Sequence, residues 1–165
     1  MKRIWAPWRN PYIKSIQKHE DCFFCSMTRE TNDERNLILF RGKHVFVVLN
    51  KFPYTNGHLM VVPYLHVASL VNLPQEALLE LIEQTKTSIE WLKKAINPQG
   101  FNVGMNLGKV AGAGLEDHLH MHIVPRWAGD SNFMTCLGET RIISESLTDS
   151  YQSLKKVIEQ EGVQK

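Results

Sequence analysis

His118, His120 and His122 occupy alternate positions in DHLHMHIVPRW, Asp117 to Trp127, a short run that holds three of the chain's 7 histidines. In an extended segment a period of two places all three on one face, with Leu119, Met121 and Ile123 on the other. Three uses fit such a row. It can be a half-exposed strand that happens to carry histidine, a metal site built from all three rings, or a centre of nucleophilic catalysis. Imidazole titrates near pH 6.5, so its neutral form is available at physiological pH. It can attack phosphorus, form a phosphoramidate, and leave again once protonated. The preceding stretch NLGKVAGAGLEDH favours this third use. Gly108, Gly112 and Gly114 let backbone N–H groups come close to phosphate oxygens.

A second group is Cys22-Phe23-Phe24-Cys25. Two thiolates at this spacing suit zinc, yet four ligands are needed and no second Cys-x-x-Cys exists. A thioredoxin-like redox motif would need a βαβ context, which is not evident. Two buried, reduced cysteines without metal are the plainer alternative. The third cysteine, Cys136, has no partner in the pattern and is expected to be buried and inert; an odd count argues against a disulfide framework.

The elements that must position these groups follow from periodicity. KHVFVVLN, Lys43 to Asn50, is β-branched and aromatic and reads as a strand. Pro53 and Asn56-Gly57 give turn chemistry, and HLMVVP, His58 to Pro63, is a second strand, so the pair forms a hairpin. After Pro74, Leu78, Leu81, Ile82, Thr85, Ile89, Leu92 and Ile96 recur at three- and four-residue steps. That is an amphipathic helix ending before Pro98. FNVGMNL is a short strand, GKVAGAGLE a glycine-rich loop, and the histidine strand ends at Pro125. Leu147, Tyr151, Leu154 and Ile158 mark a shorter C-terminal helix. Antiparallel runs around one long helix indicate an α+β fold.

The bulk properties fit this reading. A length of 165 residues suits one domain with a real core. A net charge of +2 points to neither a nucleic-acid coat nor a membrane surface, while a small anionic substrate stays compatible. No apolar run is long enough for a transmembrane helix, and the basic N-terminus lacks a signal-peptide apolar core. The cytoplasm is the expected location. The first residues carry Trp5, Trp8 and Tyr12, and exposed aromatics at that density call for a packing surface. An arm over residues 1–21 that covers the core is expected.

The motifs together resemble the histidine-triad superfamily of nucleotide hydrolases and transferases. Its signature, His-φ-His-φ-His-φ-φ with φ apolar, is matched in full from His118 to Val124. NGHLMVVPYLH resembles the family's Gly-His block. WAPWR, GFNVGMNLG and HIVPRWAGDSNFM resemble the branch of bacterial diadenosine tetraphosphate phosphorylases and related dinucleoside polyphosphate hydrolases.

The resemblance implies a half-barrel antiparallel sheet with one long helix and a C-terminal helix. The resemblance covers roughly Cys22 to Trp127, and the chain is expected to be a single domain over 1–165: the arm 1–21, a family core 22–127, and an extension 128–165. The resemblance implies that His120 is the nucleophile that takes up AMP and that His122 contacts the transferred phosphate. Asn50 would meet the ribose, His58 is the Gly-His histidine, and Asn106 lies on the phosphate side. The backbone of Gly112, Gly114 and Leu115 would stabilise developing charge. A structural zinc would be held by Cys22, Cys25, His66 and His118; no organic cofactor is expected. The partners implied are an AMP-containing nucleotide and a second copy of the chain, paired through the long helix and sheet.

One position departs from the pattern. Many members carry glutamine four residues before the first triad histidine, and here Gly114 stands there. A smaller residue can admit inorganic phosphate in place of water, so phosphorolysis is favoured over hydrolysis. AMP-phosphoramidates and adenylyl sulfate fit the same chemistry. So does an AMP-binding signalling protein with incidental activity.

Overall fold

The computed structural model describes residues 22–130 and 143–162. The expected aromatic arm, with His19, and the reading of Cys136 lie outside them. The chain begins with two short helices, α1 (Phe23–Arg29) and α2 (Asp33–Asn36), followed by strands β1 (Ile38–Arg41), β2 (Val45–Leu49) and β3 (Leu59–Pro63). The long helix α3 (Gln75–Ile96), strand β4 (Gly100–Gly104), strand β5 (Met121–Arg126) and helix α4 (Leu147–Gln160) complete it. The strands form one open antiparallel sheet in the order β1-β2-β3-β5-β4. An α+β architecture is thus what the sequence specified.

The hairpin β2–β3 shows how alternation builds two layers. Val45, Val47 and Leu49 with Leu59 and Val61 face α3 and α4, where they join Leu81, Leu92 and Leu154 in the larger core. Phe46 and Val48 with Met60 and Val62 face the other way and pack with Phe24 and Met27 of α1. Both strands are buried along their whole length because each face has its own cover. Each fully buried apolar side chain contributes roughly 1.5–3 kcal/mol. The turn between them needs its glycine: Gly57 has φ +71, and a Cβ there would lie 2.5 Å from Ile96 Cδ1.

α3 has the predicted length, starting after Pro74 and ending at left-handed Asn97. Its apolar face follows the predicted one except at Ile82, with Leu78, Ile89 and Ile96 partly buried against the core. Ala77, Leu81, Thr85, Ser88 and Leu92 lie against the sheet, with Trp91 and Gln84 also buried, whereas Ile82 is 51% exposed. Leu79 and Ile82 are left on the outer surface. α4 follows its predicted stripe, burying Tyr151, Leu154 and Ile158, and the Tyr151 hydroxyl donates to Ile38 O.

The histidine segment departs in two details. Of the three, only His122 lies within β5; His118, at a bend, and His120 precede the paired strand. Pro125 does not end the strand, which runs on to Arg126 with Pro125 opposite Phe101. Pairing with β3 stops at Ile123, so the missing N–H of Pro125 faces no ladder bond there.

Candidate active site and metal centre

The triad faces the α1 side of the sheet. Leu119 and Ile123 anchor the opposite side in the larger core. Leu119 N–H also donates to Val67 O at 2.7 Å, which fixes the segment before the strand begins. The rings of His120 and His122 lie 4.7 Å apart, edge to face, and Phe24 stands 5.3 Å from both His118 and His120. His58 joins them from β3's start, across the sheet from His122.

Hydrogen bonds fix which nitrogen of each ring bears the proton. His120 Nδ1 lies 2.8 Å from His118 O, and a carbonyl only accepts, so Nδ1 carries the hydrogen. Its Nε2 lone pair is left free. His58 Nδ1 accepts from the Tyr54 backbone N–H at 3.1 Å, so His58 donates from Nε2 to His122 Nδ1 at 2.9 Å. His122 then carries its hydrogen on Nε2. Two neighbouring imidazoles thus hold opposite tautomers, one offering a lone pair and the other a proton.

Burial favours the neutral forms. His58 is pushed down to about 3, first by desolvation and then by the facing His122 and His120. His122 is pushed down to about 4, first by desolvation and then by His120. Desolvation also lowers His120, opposed by its bond to the His118 carbonyl. A neutral His120 with a bare Nε2 is able to act as a nucleophile, and a neutral His122 offers an N–H hydrogen bond rather than a positive charge.

The other predicted residues are placed as follows. Asn50 sits beside His58, with Nδ2 3.3 Å from His58 Nδ1, while its Oδ1 accepts from Phe52 N–H. Asn106 lines a cleft together with His122. In the glycine loop, Gly112 has φ +92, and its N–H is used within the turn, donating to Lys109 O. Gly114 is exposed, and Leu115 packs against the smaller core beside Phe24. Tyr54 was not singled out by sequence. Its ring stacks 5.9 Å from His122 and its N–H sets the His58 tautomer, and only the turn conformation brings it there.

Cys22, Cys25, His66 and His118 form one cluster, their candidate ligand atoms all within 4.8 Å of one another. Cys22 Sγ lies 3.2 Å from His118 Nδ1, and Cys25 Sγ lies 3.4 Å from His66 Nδ1. A tetrahedral zinc with ordinary Zn–S and Zn–N bonds spaces such atoms about 3.5 Å apart. His118 Nε2–H donates to Pro63 O at 2.8 Å, which leaves Nδ1 bare for a metal. The donor set and its spacing fit zinc, and the three triad histidines do not share one metal site: His118 belongs to this cluster, while His122 is bonded to His58.

Among known proteins, residues 31–129 match the HIT domain model. The chain is 40% identical over 161 residues to an AP-4-A phosphorylase of Mycobacterium tuberculosis, covering 93% of this chain and 83% of that protein. A Zn-bound histidine triad family protein from Mycobacterium smegmatis superposes with a TM-score of 0.70 at 23% identity, over 87% of this chain and 96% of that one. A histidine triad nucleotide-binding protein from Sulfolobus tokodaii superposes at 0.65 with 28% identity, over 84% and 90%. With its triad, its fold and its match to the family model in agreement, the chain belongs to the HIT domain family of nucleotide-processing enzymes.

Proposed function

We propose that this protein transfers an AMP group from dinucleoside polyphosphates such as diadenosine tetraphosphate, through a nucleotidyl-His120 intermediate. The observation that carries the reading is the pair of opposite tautomers on His120 and His122. His120 Nε2 attacks the α-phosphorus, and the bond to the bridging oxygen breaks. The electron pair leaves on the departing nucleoside triphosphate. His122 Nε2–H donates to an oxygen of the transferred phosphate, and the Gly114 and Leu115 amides of the glycine loop, rather than the Gly112 N–H that is used within the turn, stabilise the charge that builds there. A phosphate or water oxygen then attacks the phosphorus and releases His120. Asn50 is read as the ribose contact and Asn106 as a phosphate contact.

Phosphorolysis is favoured because the smaller Gly114 stands where many family members carry glutamine, and because the chain is 40% identical to an AP-4-A phosphorylase of Mycobacterium tuberculosis. With diadenosine tetraphosphate, a phosphorylase gives ADP and ATP only when phosphate is supplied. AMP and ATP formed without phosphate would make it a hydrolase, and AMP binding with no turnover of either kind would sink the enzymatic reading.

Cys22, Cys25, His66 and His118 would hold a structural zinc that ties α1 to the histidine segment. A thiolate pair of this kind suits a reducing compartment, in keeping with the cytoplasm. Two features support a homodimer: β4 is an edge strand, and Leu79 and Ile82 of α3 are exposed. We read residues 1–165 as one domain.

A further inference from the structure

The cleft beside His122, about 340 Å³ in volume, continues along the sheet beyond the reacting histidines. Asn102, Gly104 and Asn106 line it from β4 and the segment after it, His122 and Arg126 from β5, and Tyr54 from the hairpin turn. Gly104 pairs with His122 and Asn102 with Val124, so these positions share a face. Four residue steps along the strand take the chain from His122 to Arg126, about 13 Å. At Gly104 a Cβ would meet no heavy atom within 4 Å, so a ligand can lie directly on the strand.

Arg126 is held in place at the far end. Asn102 Oδ1 accepts from its Nη1 at 2.7 Å, and Asp130 accepts from Nε and Nη2. These bonds engage three of the five guanidinium N–H groups among the described residues. Arg126 is also the one charged side chain among the described residues that line the cleft. A guanidinium with its plane fixed and N–H groups to spare suits phosphate oxygens.

We propose that Arg126, positioned by Asn102 and Asp130, binds the distal phosphates of the leaving group. The track from His122 to Arg126 then selects an oligophosphate of about three phosphates over shorter leaving groups. The proposal rests on the nucleotidyl-transfer reading for its meaning, but the site can be tested without turnover. As the P–O bond breaks, negative charge moves onto the departing chain, and Arg126 is placed to receive it.

The test is calorimetric titration of the full chain with inorganic tripolyphosphate, with orthophosphate as the comparison. Arg126→Gln should weaken tripolyphosphate binding about tenfold and orthophosphate binding by much less. Arg126→Lys should fall between. Gly104→Val fills the floor without touching Arg126 and should also cost about tenfold for tripolyphosphate. Affinities within twofold of wild type in both Arg126→Gln and Gly104→Val overturn the proposal, as does an equal loss for the two anions. If Arg126→Gln fails to fold, Gly104→Val decides. A kinetic arm compares kcat/KM for diadenosine tetraphosphate with that for the p-nitrophenyl ester of AMP, and Arg126→Gln should lower that ratio about tenfold. A wild-type chain that turns over neither compound would refute nucleotidyl transfer, while the tripolyphosphate titration would still decide the role of Arg126.

Discussion

His58 Nε2 donates to His122 Nδ1 across 2.9 Å, and the direction of that bond is imposed by the Tyr54 backbone N–H on the far side of His58. The relay ends in a proton on His122 Nε2. His58 is fully buried and therefore acts on substrate only through His122. Replacing it with alanine frees the His122 tautomer. The expected result is a fall in kcat of about a hundredfold with a much smaller change in KM. His58→Gln, whose amide N–H can still reach His122, should recover part of the loss. A uniform loss in both variants with equal changes in kcat and KM would argue that His58 merely fills the core.

His120→Ala removes the proposed nucleophile while Phe24 and the neighbouring strand stay in place. Turnover of diadenosine tetraphosphate should drop on the order of a thousandfold or more, with AMP still binding. Quenched single-turnover reactions should show protein-bound nucleotide in wild type and none in the variant. A variant with near-normal turnover would remove His120 from the chemistry.

Acid stability should report the buried neutral histidines. Their folded values, about 4 for His122 and about 3 for His58, lie below the ordinary 6.5. The unfolded chain therefore binds more protons, and stability is full above about pH 6.5 and is lost as the pH falls toward the folded values. At pH 5 each group should cost roughly 2 kcal/mol. The denaturant midpoint should fall accordingly between pH 7.5 and pH 5, and His122→Asn should flatten the slope. Equal slopes in variant and wild type would contradict the assignment.

Metal content separates the structural reading of Cys22 and Cys25 from two plain reduced cysteines. Purified protein should carry about one zinc per chain, and Cys22→Ser should carry far less. Because metal binding is coupled to folding, the variant should melt on the order of 10 °C lower. A metal-free wild type, or a Cys22→Ser protein with unchanged Tm, would count against zinc.

Much of the architecture could be read from local pattern. The alternation in Val45–Leu49 and Leu59–Pro63, the turn at Asn56-Gly57 and the repeat after Pro74 each name an element through a physical periodicity. Leu119, Met121 and Ile123 betrayed the face opposite the histidines. Ile82 misled, because periodicity reports where apolar residues recur and not how far the helix rotates toward the sheet.

What the sequence by itself determined is the chemistry available: three imidazoles at a period of two, a thiol pair, a glycine loop and the motif that places them in one family. The family resemblance already implied a division of labour among the three imidazoles; what only the tertiary structure decided is which nitrogen of each ring carries the hydrogen. His118 lies with Cys22, Cys25 and His66, His120 gives its Nδ1 hydrogen to a carbonyl, and His122 receives one from His58. A histidine's tautomer depends on the partner of each ring nitrogen; for His118 and His122 those partners, Pro63 O and His58 Nε2, come from far away in the chain, whereas that of His120 is the nearby His118 carbonyl. The same holds for Arg126, whose guanidinium is aimed by Asn102 and Asp130 from a neighbouring strand and the following turn.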